Sequence, residues 1–297
     1  MNRLALYTAL LLPALVIAQP SWQSTGSTAD EPVELFRATM MPNLPTATML
    51  YKGDWHYEIS HRFLPTIDEG YDANFGFDGP ANMRTAVGYG VSDRFTLTLG
   101  RSSVLDNLDL RAKYRLWDMD HPTLPSAVAI HLGVAWNTDD LAHSTYDQDG
   151  NYEGGHVGGA DTFQYYAQLI YNTLLLDGKL GIGIVPSYLY NSTIFSVDKQ
   201  STFTLGNYYQ YYFNDMWGTW LEYNPALSGY QGILQQGETG RSHDALSFGT
   251  SIETGGHVFY IFATNSTRLN PAQYLVGAPT DASPKNWHIA FSISRYL

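Results

Sequence analysis

The stretch Trp55-His56-Tyr57-Glu58-Ile59-Ser60-His61-Arg62-Phe63 decides the architecture. Trp55, Tyr57, Ile59, His61 and Phe63 fall on one side of an extended chain, and His56, Glu58, Ser60 and Arg62 on the other. A period of two places one face against an apolar medium and the other against something polar. The pattern returns at Met83-Thr85-Val87-Tyr89-Val91, at Phe95-Leu97-Leu99, at Leu108-Leu110-Ala112-Tyr114-Leu116 and at Val128-Ile130-Leu132-Val134-Trp136. Further strands are expected near 162–174, 179–190, 201–213, 216–224, 244–253, 257–264 and 287–297. The total is about twelve, each of about the length that crosses a bilayer when tilted.

The connections carry the argument from strands to a barrel. Ser92-Asp93, Asp177-Gly178, Asn214-Asp215 and Thr254-Gly255-Gly256 are tight-turn sequences, and the link from Asp118 to Pro125 is also short. Between them come the longer segments 64–81, 102–107, 138–160, 191–200, 225–243 and 265–286. Short and long links alternate throughout, as in transmembrane barrels with short periplasmic turns and longer outer loops. The fold class expected is all-β: a transmembrane up-and-down β-barrel over residues 54–297.

The N-terminus supplies the expected route to the membrane. Arg3 precedes the apolar run Leu4 to Ile17, and Val16-Ile17-Ala18 offers small-residue cleavage chemistry before Gln19. Residues 1–18 therefore read as a signal peptide, too short in its apolar core to span as a helix. Residues 19–53 show no strand periodicity and carry Pro32, Pro42 and Pro45; they read as a periplasmic lead-in or as a plug folded into the lumen. After residue 18 no uninterrupted apolar helix remains, in line with a mean hydropathy of -0.21. The chain has no cysteine, which excludes disulfides and thiolate sites. Its net charge of -12, with 16 Lys plus Arg, argues against nucleic acid. The 22 Tyr and 7 Trp suit a protein with two membrane–water interfaces to line.

Two resemblances follow from particular residues. Ile289, Phe291, Ile293 and Leu297 share a face, with Tyr296 beside the end. This resembles the C-terminal signal read by barrel-assembly machinery, although Leu297 stands where a terminal Phe or Trp is preferred and Arg295 interrupts the row. Ile59 to Phe63, Phe75-Gly76-Phe77-Asp78-Gly79-Pro80-Ala81-Asn82-Met83-Arg84, Gly88 to Asp93, Gly100-Arg101-Ser102-Ser103 and Lys113-Tyr114-Arg115 together resemble a family of outer-membrane β-barrels of unknown function, common in Bacteroidota. The resemblance, specific from about Tyr57 to Leu116, implies the fold and an outer-membrane location. It implies no reaction and no ligand.

With apolar faces turned to lipid, the lumen of the early strands receives a basic cluster of Arg62, Arg84, Arg94, Arg111, Lys113 and Arg115, with Glu58, Asp109 and Glu222 as acidic partners and His56 nearby. One reading is an anion-attracting constriction headed by Arg84 and Arg111; the other is a structural ion network in a narrow lumen. Tyr166, Tyr208 and Tyr212 are expected to point inward, as filling or as a sugar track. Asp147, Asp149, Asn151 and Glu153 alternate like calcium ligands, but Gly150 misses the EF-hand position, so a solvated acidic turn is the plainer account. Ser242-His243-Asp244 has the residue types of a hydrolase, yet neighbours on a strand face opposite ways.

No cofactor is expected. The function expected is a narrow pore for small solutes, with anion preference as one reading of the basic cluster, and with outer-membrane lipid and barrel-assembly machinery as partners. The alternatives are a non-conducting barrel that anchors a periplasmic or surface complex, and a soluble secreted all-β protein.

Overall fold

The computed structural model describes residues 33–139, 159–196, 198–232 and 241–297. The signal-peptide residues and the candidate calcium segment 147–153 lie outside the described residues.

The strands are β1 Trp55–Thr66, β2 Ala81–Ser92, β3 Phe95–Ser102, β4 Asn107–Met119, β5 Ser126–Trp136, β6 Phe163–Leu175, β7 Leu180–Tyr190, β8 Ser201–Tyr212, β9 Trp217–Asn224, β10 Ala226–Gly229, β11 Ala245–Glu253, β12 His257–Thr264 and β13 His288–Tyr296. Each pairs antiparallel with its neighbours, and β1 pairs with β13, so the sheet closes on itself. β9 and β10 are one strand interrupted at Pro225, since both pair with β8 and Pro225 still accepts from the Leu205 N–H. The barrel therefore has twelve antiparallel strands. Closure removes the exposed edges that an open sheet would present, which a chain in lipid requires.

The alternation seen in the sequence fixes which face is which. On β3, Leu99 is 61% exposed while Thr96, Thr98 and Ser102 are buried. On β4 the outward Leu110, Tyr114 and Leu116 alternate with the buried Asp109, Arg111, Lys113 and Arg115. The soluble reading would put these leucines inside; here they form the outer surface and the charges line the interior. Aromatic side chains gather at both ends of that surface. Trp55 and Tyr89 meet at 4.7 Å near the short turns, and Trp136 stacks on Phe163 at 5.6 Å near the long loops. Such belts mark the two interfaces of a membrane.

The interior is filled from both ends. Residues 33–53 enter at the turn end and run through the lumen, with Leu35, Phe36, Met41, Leu44, Ala47 and Leu50 all buried. At the loop end, residues 265–278 fold inward around α1 (Pro271–Tyr274). Asn270 caps this turn by accepting from the Gln273 N–H at 2.9 Å.

Candidate functional site

The lumen wall has two chemical halves. β8, β9, β12 and β13 contribute Tyr208, Tyr212, Trp220, Tyr260, Phe262 and Tyr296, all buried. β1 to β5 contribute charge. Glycines make room on both sides: a Cβ on Gly181 would lie 2.6 Å from the Phe36 ring, and one on Gly100 would lie 2.2 Å from Arg84 Nη2.

Five of the six expected basic residues are buried in the wall: Arg62, Arg84, Arg111, Lys113 and Arg115. Three of them pair with acids. Arg84 makes 2.8 Å hydrogen bonds to both oxygens of Asp109 and a 3.1 Å contact to Glu58. Arg111 donates to Glu58 at 2.7 Å, and Arg115 donates to Asp118. His56 Nε2 lies 3.0 Å from the other Glu58 oxygen. The pair singled out for a constriction, Arg84 and Arg111, is thus neutralised in place by Glu58 and Asp109.

Arg94 departs from the expectation. It occupies the turn between β2 and β3, half-exposed, and pairs with Asp118 at 2.8 Å. The turn falls on Asp93-Arg94 rather than Ser92-Asp93, which takes Arg94 out of the strand alternation. Glu222 is buried in the wall as expected but forms no ion pair among the described residues. It accepts instead from the lead-in: from Leu44 N at 2.9 Å, Asn43 N at 3.3 Å and Asn43 Nδ2 at 2.7 Å. The cause is local: Met40 and Pro45 bridge in a tight reversal, and that reversal aims its peptide N–H groups at β9.

The same reversal turns carbonyl groups toward the charged half. Lys113 Nζ donates to Thr39 O at 2.8 Å, Thr46 O at 3.0 Å and Thr48 O at 2.6 Å. Arg115 donates to the carbonyls of Ala47 and Val33, and Arg62 to Pro42 O at 3.2 Å and Asn43 Oδ1 at 2.9 Å. Tyr208 Oη donates to Pro45 O at 3.0 Å, and Thr39 N donates to Tyr296 Oη at 2.9 Å. Sequence reasoning left the place of residues 33–53 open. The signal available was their apolar content, Leu35, Phe36, Met41, Leu44 and Leu50, which a lead-in in water would not need.

Tyr166, Tyr208 and Tyr212 all point inward and are buried. Tyr208 holds Asn172 and the lead-in, so it fills space. Between lead-in, wall and loop there remains a cavity with room for a water molecule or two, bounded by Asn43, Glu58, Arg84, Arg111 and Leu269. No group of metal-ligating side chains stands among the described residues. Ser242 accepts from Arg268 and donates to Gly232 O, while His243 is exposed and pairs through its backbone with Ala278. The hydroxyl is thus engaged with Arg268 and Gly232 and, among the described residues, makes no hydrogen bond to the imidazole.

A closed antiparallel barrel with apolar exterior, aromatic belts and charged, self-filled lumen defines a membrane-bound β-barrel protein. The chain belongs to the family described as "Membrane bound beta barrel domain (DUF5777)", whose model matches residues 36–297. No curated protein matches the chain. Among solved structures it is similar to the NanC porin, with 8% identity, 82% of this chain and 97% of that chain covered, and a TM-score of 0.44. It is also similar to an outer membrane channel from Pseudomonas putida F1, with 11% identity, 84% and 98% covered, and a TM-score of 0.44. LpxR from Salmonella typhimurium aligns with 8% identity, 82% and 99% covered, and a TM-score of 0.33.

Proposed function

We propose that the chain is an outer-membrane channel for small solutes in a Gram-negative bacterium, held shut by its own lead-in. Residues 1–18 direct export and are cleaved; barrel-assembly machinery inserts the remainder with the short turns in the periplasm and the long connections outside. Residues 33–53 act as the plug.

One observation carries this reading: the lead-in supplies all three acceptors of Lys113 and shares in satisfying Arg62, Arg115 and Glu222. Burying charge is costly, and apolar packing of the same volume is commonly as stable or more so. The aromatic half of the lumen shows that this chain packs apolar side chains well. Keeping Lys113, Arg115 and Arg62 on the other half, and Glu222 among the aromatic strands, makes physical sense if the lead-in leaves and water replaces its peptide groups.

The test is planar-bilayer recording of the refolded chain, intact and with the lead-in loosened by Leu44→Asp. That substitution buries a carboxylate against Gly206 at a fully buried position whose backbone N–H holds Glu222. Rare openings in the intact chain and frequent ones in the variant are the expected result. A second reading, a non-conducting barrel that anchors a complex, has its own support in the dense packing of Phe36, Leu44 and Leu50 in one cluster with Ile170, Tyr208 and Trp220. It requires silence from both proteins.

A further inference from the structure

We infer that Lys113 selects small oxyanions in the open lumen, and that the lead-in carbonyls hold the place of the oxyanion while the lumen is shut. The inference rests on the channel reading and adds to it a ligand class and the residue that sets it.

The argument is a charge balance along the wall. Arg84 and Arg111 are offset by Glu58 and Asp109, and Arg115 has Asp118, which it shares with the half-exposed Arg94 at the β2–β3 turn. Arg62 and Glu222 both depend on Asn43, one on its oxygen and one on its nitrogen, so withdrawal of the lead-in leaves them as one cation and one anion. Lys113 is different. Its ammonium is buried, no carboxylate pairs with it among the described residues, and its partners are three lead-in carbonyls. An ammonium has three N–H donors, so all are committed to oxygen atoms that depart with the plug.

Three oxygens within 2.6–3.0 Å of one ammonium is an environment that an oxygen of a phosphate or a carboxylate, completed by waters, also provides. A small cavity already adjoins the lysine, and Thr96, Thr98 and His131 line it with further hydrogen-bonding groups. In a narrow, weakly screening lumen a single unbalanced cation biases the ions that enter. Arg84 and Arg111, the more obvious candidates from sequence, bring no net charge to that field.

The test uses the full chain. In Leu44→Asp, folding checked by the heat-dependent gel shift, a potassium chloride gradient should give an anion preference of roughly threefold or more. Adding Lys113→Gln should abolish that preference, and Lys113→Arg should keep it. Current that is unselective, or indifferent to Lys113→Gln, overturns the inference and leaves the channel intact. Absence of current from the folded variant overturns the channel reading and this inference with it.

If Leu44→Asp does not fold, Met49→Cys in the otherwise native chain gives a second readout, since the chain has no other cysteine. Inorganic phosphate or acetate should speed its modification by a polar maleimide several-fold over chloride of equal ionic strength, by competing for Lys113. The two anions distinguish a phosphate site from a carboxylate site. Equal rates in all three salts overturn the proposal.

Discussion

The side-chain amide of Asn43 lies 2.7 Å from the carboxylate of Glu222, a contact that spans 179 residues of chain. The oxygen of the same amide accepts from Arg62 at 2.9 Å. One residue of the lead-in thus joins β1 to β9 across the lumen. Asn43→Ala should free both charges from a partner and weaken the seating of residues 33–50 by about 1.5–3 kcal/mol, the range for hydrogen bonds to charged groups. Amide exchange of the lead-in should read this loss while the exchange of the β-strands stays unchanged. Equal exchange in both proteins would show that Asn43 is a bystander.

Neighbouring residues on β3 should lose stability for different reasons because they face opposite media. Gly100 faces the lumen, where a side chain would strike the Arg84 guanidinium and sit 2.8 Å from Asp109. Gly100→Val should break that buried pair and cost about 3–5 kcal/mol. The midpoint of urea unfolding in lipid reports it, and a loss below about 1 kcal/mol would contradict the pairing geometry.

Leu99 faces outward near the middle of its strand. Leu99→Arg should cost about 2–4 kcal/mol in a bilayer. The same substitution should cost much less in detergent, where the charge can reach water. A cost equal in both media would mean that this face does not meet lipid.

Just ahead of β1, at the turn end, burial and the neighbouring Asp93 hold the Asp54 carboxyl above its ordinary 3.8, partly offset by a backbone hydrogen bond from its own turn at Tyr51. The folded protein therefore holds this proton more tightly than the unfolded chain does. Its contribution to stability is greatest at low pH and is lost as pH rises from about 4 through the raised value. Asp54→Asn should unfold at the same urea concentration as the parent below pH 4 and at a slightly higher one at pH 7. A variant less stable at pH 7 would reverse the sign and refute the assignment.

Much of this molecule could be read from periodicity because a barrel wall is a local object. Leu99 and Gly100 declare their faces through the residues two positions away, and Asp177-Gly178 declares a turn. The inward direction of Arg84, Arg111 and Lys113 followed from the same rule. What those residues touch did not follow, because partners come from distant chain. Glu222 was expected to balance the basic residues and instead holds peptide N–H groups at 43 and 44. The reversal that brings them there is set by a bridge between Met40 and Pro45, which leaves no periodic trace. Arg94 slipped for the converse reason: a turn shifted by one residue exchanges lumen for solvent.

The seam of the barrel has a consequence for assembly. β1 and β13 close the sheet, and the penultimate residue, Tyr296, accepts a hydrogen bond from the Thr39 N–H. Because Tyr296 also pairs with His56 in the register of that seam, the last rung of closure and the docking of the lead-in share a side chain. Each step then strengthens the other, whichever comes first. A barrel that zips up without its lead-in would lack the Thr39 N–H on that tyrosine, so β13 carries a chemical record of whether the lead-in arrived.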